Sequence, residues 1–167
     1  MKCSHCNEEI GEISLCFGSN APFHYLVLDE KERQDRCEIN NDLCVIDQDK
    51  FFIRGHLEIP ILGTDEFFIW SVWSSISEGN FMRANEIWNS KTRKNEPAYF
   101  GWFSTELPLY PSTLSLKCEI QTREIGVCPL INLEPNDHPL AIEQRNGISL
   151  DRVHEINHLL MHIDRIK

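Results

Sequence analysis

The pair Cys3-Ser-His-Cys6 is the one place in this chain where residue spacing alone implies a definite chemistry. Two thiolates separated by two residues can bind one Zn²⁺ ion, or they can cycle between dithiol and disulfide. Structural zinc takes four ligands, and the chain has no second Cys-x-x-Cys. The pair does not follow a strand and open a helix, which disfavours a thioredoxin-like redox role. The sequence therefore predicts half of a structural zinc site, and the further ligand candidates are Cys16, His24, Cys37 and Cys44.

A second motif, His154-Glu-Ile-Asn-His158, matches the H-E-x-x-H pattern of zinc peptidases. In those enzymes two histidines one helical turn apart bind zinc, and the glutamate is the general base toward the bound water. A helix over these residues would place both histidines opposite its apolar stripe, which is equally the geometry of a solvated polar face. The spacing to His162 also differs from that of the metzincins. We therefore expect Glu155 not to be catalytic, and a zinc-dependent hydrolase stays the alternative.

Residues 133–145 concentrate acidic and basic side chains around two prolines. An acid and a histidine could form a general acid/base pair, but no Ser or Cys nucleophile lies among them. We therefore predict that this segment caps and ion-pairs a helical turn. The charged and polar residues concerned are Glu134, Asp137, His138, Glu143 and Arg145.

Composition narrows the class of partner. The 167 residues include 16 basic and 26 acidic side chains, a formal charge of −10, which opposes binding to nucleic acid.

Seven cysteines, an odd number, favour thiols or metal ligands over a disulfide framework. No signal peptide or membrane-spanning stretch is expected, so the predicted location is the cytoplasm. The length and the 41% hydrophobic content predict one domain over residues 1–167, including a metal knuckle in residues 1–16.

Hydrophobic periodicity predicts the elements that position these residues. Alternation from Phe51 to Ile61 predicts a half-buried strand, and a turn at residues 63–66 joins it to a second strand, Phe67–Ile76. Shorter strands are expected at residues 23–28, 99–103, 114–122 and 130–133. Asp29, Ser77 and Ser149 are expected to cap helices, the last of them over residues 149–163. The predicted fold is α+β: an antiparallel sheet with helices on one face and a short N-terminal Cys-x-x-Cys knuckle.

The four tryptophans are expected to be core residues. A tryptophan at the surface would instead mark an anchor of a protein interface, because large aromatic side chains dominate binding energy. The residues concerned are Trp70, Trp73, Trp88 and Trp102.

Several motifs together resemble a bacterial family catalogued as domain of unknown function 2199. Besides the early Cys-x-x-Cys, they are Asp42-Leu-Cys-Val-Ile-Asp47, Phe51-Phe-Ile-Arg-Gly55, Leu57-Glu-Ile-Pro60, Phe100-Gly-Trp102, Leu107-Pro-Leu-Tyr-Pro111, Leu133-Glu-Pro135, His138-Pro-Leu-Ala141 and Glu143-Gln-Arg145. The resemblance spans nearly the whole chain and implies a small soluble bacterial protein, with no functional residues to carry over. Family members show a glycine and then a histidine after the Cys-x-x-Cys, whereas Asn7-Glu-Glu-Ile10 follows here, which weakens the zinc interpretation.

These observations favour a non-catalytic, acidic binding protein over an enzyme. A basic partner protein would associate quickly with an acidic surface, and an immunity-type inhibitor of a bacterial toxin fits this description. The sequence does not indicate the oligomeric state.

Overall fold

The computed structural model describes residues 13–166, which form a mixed α+β fold. The strands are β1 (Cys16–Gly18), β2 (Cys37–Ile39), β3 (Leu43–Ile46), β4 (Lys50–Pro60), β5 (Phe67–Ile76), β6 (Tyr99–Trp102), β7 (Lys117–Gln121) and β8 (Leu130–Leu133). The helices are α1 (Phe23–Leu26), α2 (Glu30–Arg36), α3 (Glu78–Glu86), α4 (Pro139–Asn146) and α5 (Leu150–Ile166), with a short 3₁₀ helix at Arg93–Asn95.

The β4–β5 hairpin is the centre of the fold and confirms the predicted pair of strands. The two strands are antiparallel from the pair Phe51–Ile76 to the pair Pro60–Phe67. Side chains alternate between two buried surfaces, as expected for a strand covered on both sides. Trp70 lies in the main core, whereas Trp73 belongs to a second cluster with Phe52.

The sheet is mixed, so the prediction of a wholly antiparallel sheet was wrong. Its strand order is β1-β5-β4-β8-β7-β6, with β3 also paired to β4 and β2 paired to β3. Strand β1 is parallel to β5, and β8 is parallel to β4. Alternating hydrophobicity reports which side of a strand is buried but not which way its neighbour runs. Strand direction was therefore beyond what the local pattern could predict.

The sheet curls until β6 contacts β5. A bridge pairs Ser74 with Phe103, and the backbone N–H of Ser104 donates to the carbonyl oxygen of Trp73 at 2.8 Å. Gly101 permits this approach, since a Cβ there would overlap Ser74 Oγ and the backbone oxygen of Ser75. The close contact between β6 and β5 therefore depends on the absence of a side chain at residue 101.

Helices pack on both sides of the hairpin, which corrects the prediction that they share one face. Phe81 of α3 and Val153 of α5 pack with the main core. Tyr25 of α1 packs with the second cluster, around Phe52 on the opposite side of β4. Among the described residues, no helix is long and apolar enough to cross a membrane.

The predicted helix caps are confirmed, but the predicted strand at residues 23–28 is wrong. Asp29 forms a capping box with Glu32, and the hydroxyls of Ser77 and Ser149 accept hydrogen bonds from the first turns of α3 and α5. Residues Phe23–Leu26 form helix α1 after Pro22. A short run of mostly apolar residues does not by itself distinguish a strand from a helical turn.

Candidate functional site

The predicted zinc ligands fall into two groups. Cys3 and Cys6 lie outside the described residues, so the Cys-x-x-Cys half-site stays a prediction. Of the four further candidates, Cys37 and Cys44 pack in the second cluster, and the His24 ring stacks on Phe52 of that cluster with centroids 5.3 Å apart. Cys16 lies apart from them on β1 and is exposed.

Burial shifts the pKa values of the ligand candidates in and beside the second cluster. Burial raises the pKa of the fully buried Cys44 to about 12, with a further contribution from Cys37. Burial also raises the pKa of Cys37 and lowers that of His24. Within residues 13–166, no three or more His, Cys, Asp or Glu side chains form a group that could hold a metal ion. In the described part of the chain, Cys37 and Cys44 contribute to the packing of the second cluster.

The H-E-x-x-H residues lie on helix α5, as predicted, but they do not line a solvated polar face. His154 and His158 are half-buried, and Nδ1 of His154 is buried without a hydrogen-bond partner among the described residues. Leu150, the first residue of this helix, is 51% exposed. Asn157, the residue before the second histidine, is buried and donates to the carbonyl oxygens of Ser14 and Val153.

Glu155 is part of an ion-pair network rather than of a metal group. Arg152 donates to Glu155 Oε1 at 2.8 Å and to Glu143 Oε1 at 3.0 Å. The hydroxyl of Tyr110 donates to the other oxygen of Glu143 at 2.7 Å. The carboxylate that a zinc peptidase would use as a base is thus engaged with a guanidinium on its own helix.

Residues 133–145 carry out part of the predicted structural role: His138 caps α4, and Glu143 forms an ion pair with Arg152. Nδ1 of His138 accepts from the backbone N–H of Leu140 and caps α4, so its Nε2 carries the proton and donates to the carbonyl oxygens of Pro111 and Ser112. Arg145 donates to the carbonyl oxygen of Asn136. His138 therefore caps α4 and joins it to the neighbouring loop at Pro111 and Ser112.

The surface feature that stands out is a pair of aromatic side chains on β6. Phe100 is 52% exposed and Trp102 is 44% exposed, and their rings meet edge to face with centroids 5.2 Å apart. Strand alternation turns Tyr99 and Gly101 inward and these two residues outward. The contact of Gly101 with β5 thus leaves both neighbouring aromatic rings at the surface. We call Phe100 and Trp102 the aromatic ridge.

The aromatic ridge separates two clefts. Phe100 lines a cleft of about 500 Å³ with Glu119, Asn132 and Glu134. Trp102 lines another, of about 560 Å³, together with residues that include His24 and Lys50. A partner protein could contact both sides of such a ridge by filling the two clefts.

The backbone beneath the ridge is held firmly. The N–H of Trp102 donates to Ser75 Oγ at 3.2 Å, and its carbonyl oxygen accepts from Ser104 Oγ at 2.7 Å. The ammonium group of Lys117 lies 6.0 Å from the centroid of the Trp102 ring. An anchor held in place before binding loses less conformational entropy when a partner arrives.

The sequence analysis did not identify Phe100 as a candidate binding residue. Trp102 was expected in the core with the other tryptophans. Trp70 and Trp73 are indeed buried, and Trp88 is half-buried, which leaves Trp102 as the exposed member. The sequence feature that could have indicated this site is the strand Tyr-Phe-Gly-Trp, because strand alternation predicts that Phe100 and Trp102 share a face. Periodicity does not reveal which face of a strand is solvated.

Comparison with known proteins places the chain in a family. No curated protein and no solved structure matches it. A family model described as an uncharacterized protein conserved in bacteria (DUF2199) matches residues 2–148, a range that ends before helix α5 and the two histidines of the H-E-x-x-H motif. The match covers most of the chain and agrees with the resemblance seen in its motifs, and the protein therefore belongs to this bacterial family.

Proposed function

We propose that this protein is a non-catalytic binding protein of the bacterial cytoplasm whose interface is centred on the aromatic ridge. The observation that carries the proposal is the exposed pair Phe100 and Trp102, set on a fixed backbone between two clefts. Aromatic side chains of this kind supply most of the binding energy in protein interfaces when a partner covers them.

The partner is a protein with a basic surface. The chain carries a net charge of −10, and the cleft beside Phe100 is lined by two carboxylates, Glu119 and Glu134, and by one cation, Lys117. Opposite charge steers two proteins together and increases the association rate, most strongly at low ionic strength. A basic toxin held inactive by this protein is the specific form of the proposal, since inhibition by binding requires no catalytic group on the inhibitor.

The test is affinity capture from the native host with three forms of the protein, followed by mass spectrometry. Wild type is compared with Trp102→Ala and with Phe67→Ala. Phe67 is a matched control, because it is also an aromatic residue on a strand and is 46% exposed. It lies seven residues along β5 from Ser74, where β5 pairs with Phe103 next to β6. That separation is roughly 23 Å.

We expect a basic protein to be retained by wild type and by Phe67→Ala, and lost with Trp102→Ala. Capture of the same proteins by all three forms would contradict the proposal. In the purified complex, Glu119→Lys should slow association, whereas Glu66→Lys, at the far end of the β4–β5 hairpin, should leave the rate nearly unchanged.

A further inference from the structure

A separate cavity of about 390 Å³ lies over the outer face of β4, away from the aromatic ridge. Arg54 and His56 of β4 form one wall, and Trp88 and Arg93, which follow α3, form another. The segment Gly126–Cys128 closes the third side. Two guanidiniums, those of Arg54 and Arg93, thus line this cavity together with the carboxylate of Asp42, in a protein that is acidic as a whole.

Arg93 is the unusual residue of this cavity. It is only 3% exposed, and its guanidinium stacks over the Trp88 ring, 4.9 Å from the centroid. Nη1 donates to the carbonyl oxygen of Trp88 at 2.8 Å, but the buried Nε has no hydrogen-bond partner among the described residues. Arginine keeps its charge in proteins, so burial cannot be relieved by losing a proton.

Carboxylates balance the neighbouring guanidiniums but not Arg93. Arg54 is paired with Asp42 at 3.1 Å, and Arg123, close behind the cavity, is paired with Glu58 at 3.0 Å. Within residues 13–166, no carboxylate lies within ion-pair distance of Arg93. Arg93 also borders a smaller cavity of about 180 Å³, but Glu96 there is bound by Arg83 at 2.8 Å.

A buried cation without a counter-ion is costly, and stacking on one aromatic ring offsets only part of that cost. An anion in the cavity would supply a counter-charge beside Arg93. A guanidinium is a donor fork that matches an oxyanion, and donors on separate walls suit a tetrahedral group better than a planar carboxylate. We propose that this cavity binds a small molecule through a phosphoryl group, with Arg93 as the principal ligand and Arg54 and His56 as supporting donors.

Nearby titratable groups are consistent with this arrangement. Burial lowers the pKa of His56, and the guanidiniums of Arg54 and Arg123 lower it further, while Glu58 opposes them. Burial raises the pKa of Cys128, against the opposing influence of the surrounding arginines. The Cys128 thiol is therefore kept protonated, and the cationic groups of the cavity are the guanidiniums of Arg54 and Arg93.

The experiment is an NMR titration of the full chain with inorganic phosphate at constant ionic strength. The signals followed are the Nε–H of Arg93 and the backbone amides of Val127 and Cys128. We expect saturable shifts at these positions, and no comparable shift when chloride replaces phosphate. Absence of such shifts would overturn the proposal, and equal shifts with acetate would overturn the assignment to a phosphoryl group.

Two variants link the shifts to the proposed ligands. Arg93→Gln should weaken phosphate binding at least about tenfold, as expected for loss of charge-assisted hydrogen bonds. Arg145→Gln, which removes an exposed arginine elsewhere, should leave the affinity unchanged. If Arg93→Gln does not fold, His56→Ala is the variant to measure, and we expect it to lose a smaller part of the phosphate affinity. A folded Arg93→Gln or His56→Ala variant that binds phosphate as tightly as wild type would count against the proposal.

Discussion

Replacing Asn157 by alanine is expected to release the segment around Ser14 from helix α5. The Asn157 side chain is buried and makes three hydrogen bonds. Its Oδ1 accepts from the backbone N–H of Ser14 at 2.8 Å, and its Nδ2 donates to the carbonyl oxygens of Ser14 at 3.0 Å and of Val153 at 2.8 Å. One side chain thus satisfies both backbone groups of a residue 143 positions away.

The magnitude follows from these contacts. Each hydrogen bond contributes roughly 1 kcal/mol, and the missing amide also leaves a small cavity in the packed helix face. Ser14 is only half-buried, so water can recover part of its lost hydrogen bonding. We expect the free energy of unfolding to fall by about 2 to 3 kcal/mol. Asn157→Asp should cost at least as much, because it sets a carboxylate against two carbonyl oxygens.

The assay combines urea denaturation with hydrogen exchange followed by NMR. In Asn157→Ala the Ser14 amide should lose at least about tenfold of its protection, beyond the change at amides in the middle of the β4–β5 hairpin. Asn85→Ala is the matched control, since Asn85 is exposed and its side chain makes one hydrogen bond, to Phe81. Unchanged exchange at Ser14 in Asn157→Ala would refute the role given to this residue.

Three further substitutions test the packing, the H-E-x-x-H motif and the buried thiol. Gly101→Ala should cost about 1 to 3 kcal/mol in urea denaturation, because its Cβ overlaps Ser74, and an unchanged midpoint would show that β6 can move aside. Glu155→Gln should change stability by no more than about 0.5 kcal/mol in thermal unfolding, since its ion pair with Arg152 is partly exposed, and a metal-dependent peptidase activity lost in this variant would contradict the binding role. The raised pKa of Cys44 means that the unfolded thiol releases its proton first, so stability should fall as pH rises above 9.0 toward 12. Cys44→Ala should remove about 1.4 kcal/mol per pH unit from that slope, and an identical slope would be inconsistent with a protonated buried thiol.

Local patterns in the sequence predicted the elements they directly encode. Alternation between Phe51 and Ile61, followed by a turn, was enough for the β4–β5 hairpin. Caps were recognisable because Asp29, Ser77 and Ser149 each satisfy N–H groups within a few residues. Such signals depend only on residues that are close in the chain, so they can be recognised without knowledge of the tertiary fold.

The rest depends on contacts between distant segments. The parallel pairing of Cys16 with Ile69 is not encoded in either segment alone, which is why the sheet was predicted to be antiparallel. The exposed position of Trp102 follows from the inward turn of Gly101 against Ser74. The unbalanced charge of Arg93 likewise becomes apparent only when the carboxylates around it are located. Candidate sites of this kind require the structure.

The central claim is that Trp102 anchors a protein partner. The 44% of its surface that is exposed amounts to roughly 100 Å², and covering it contributes about 2.5 kcal/mol, or roughly 70-fold in Kd. The most direct measurement is the Kd of the captured partner for wild type, Trp102→Ala and Phe67→Ala by isothermal titration calorimetry. We expect a loss of about that size for Trp102→Ala alone. Equal affinities for wild type and a folded Trp102→Ala would contradict it.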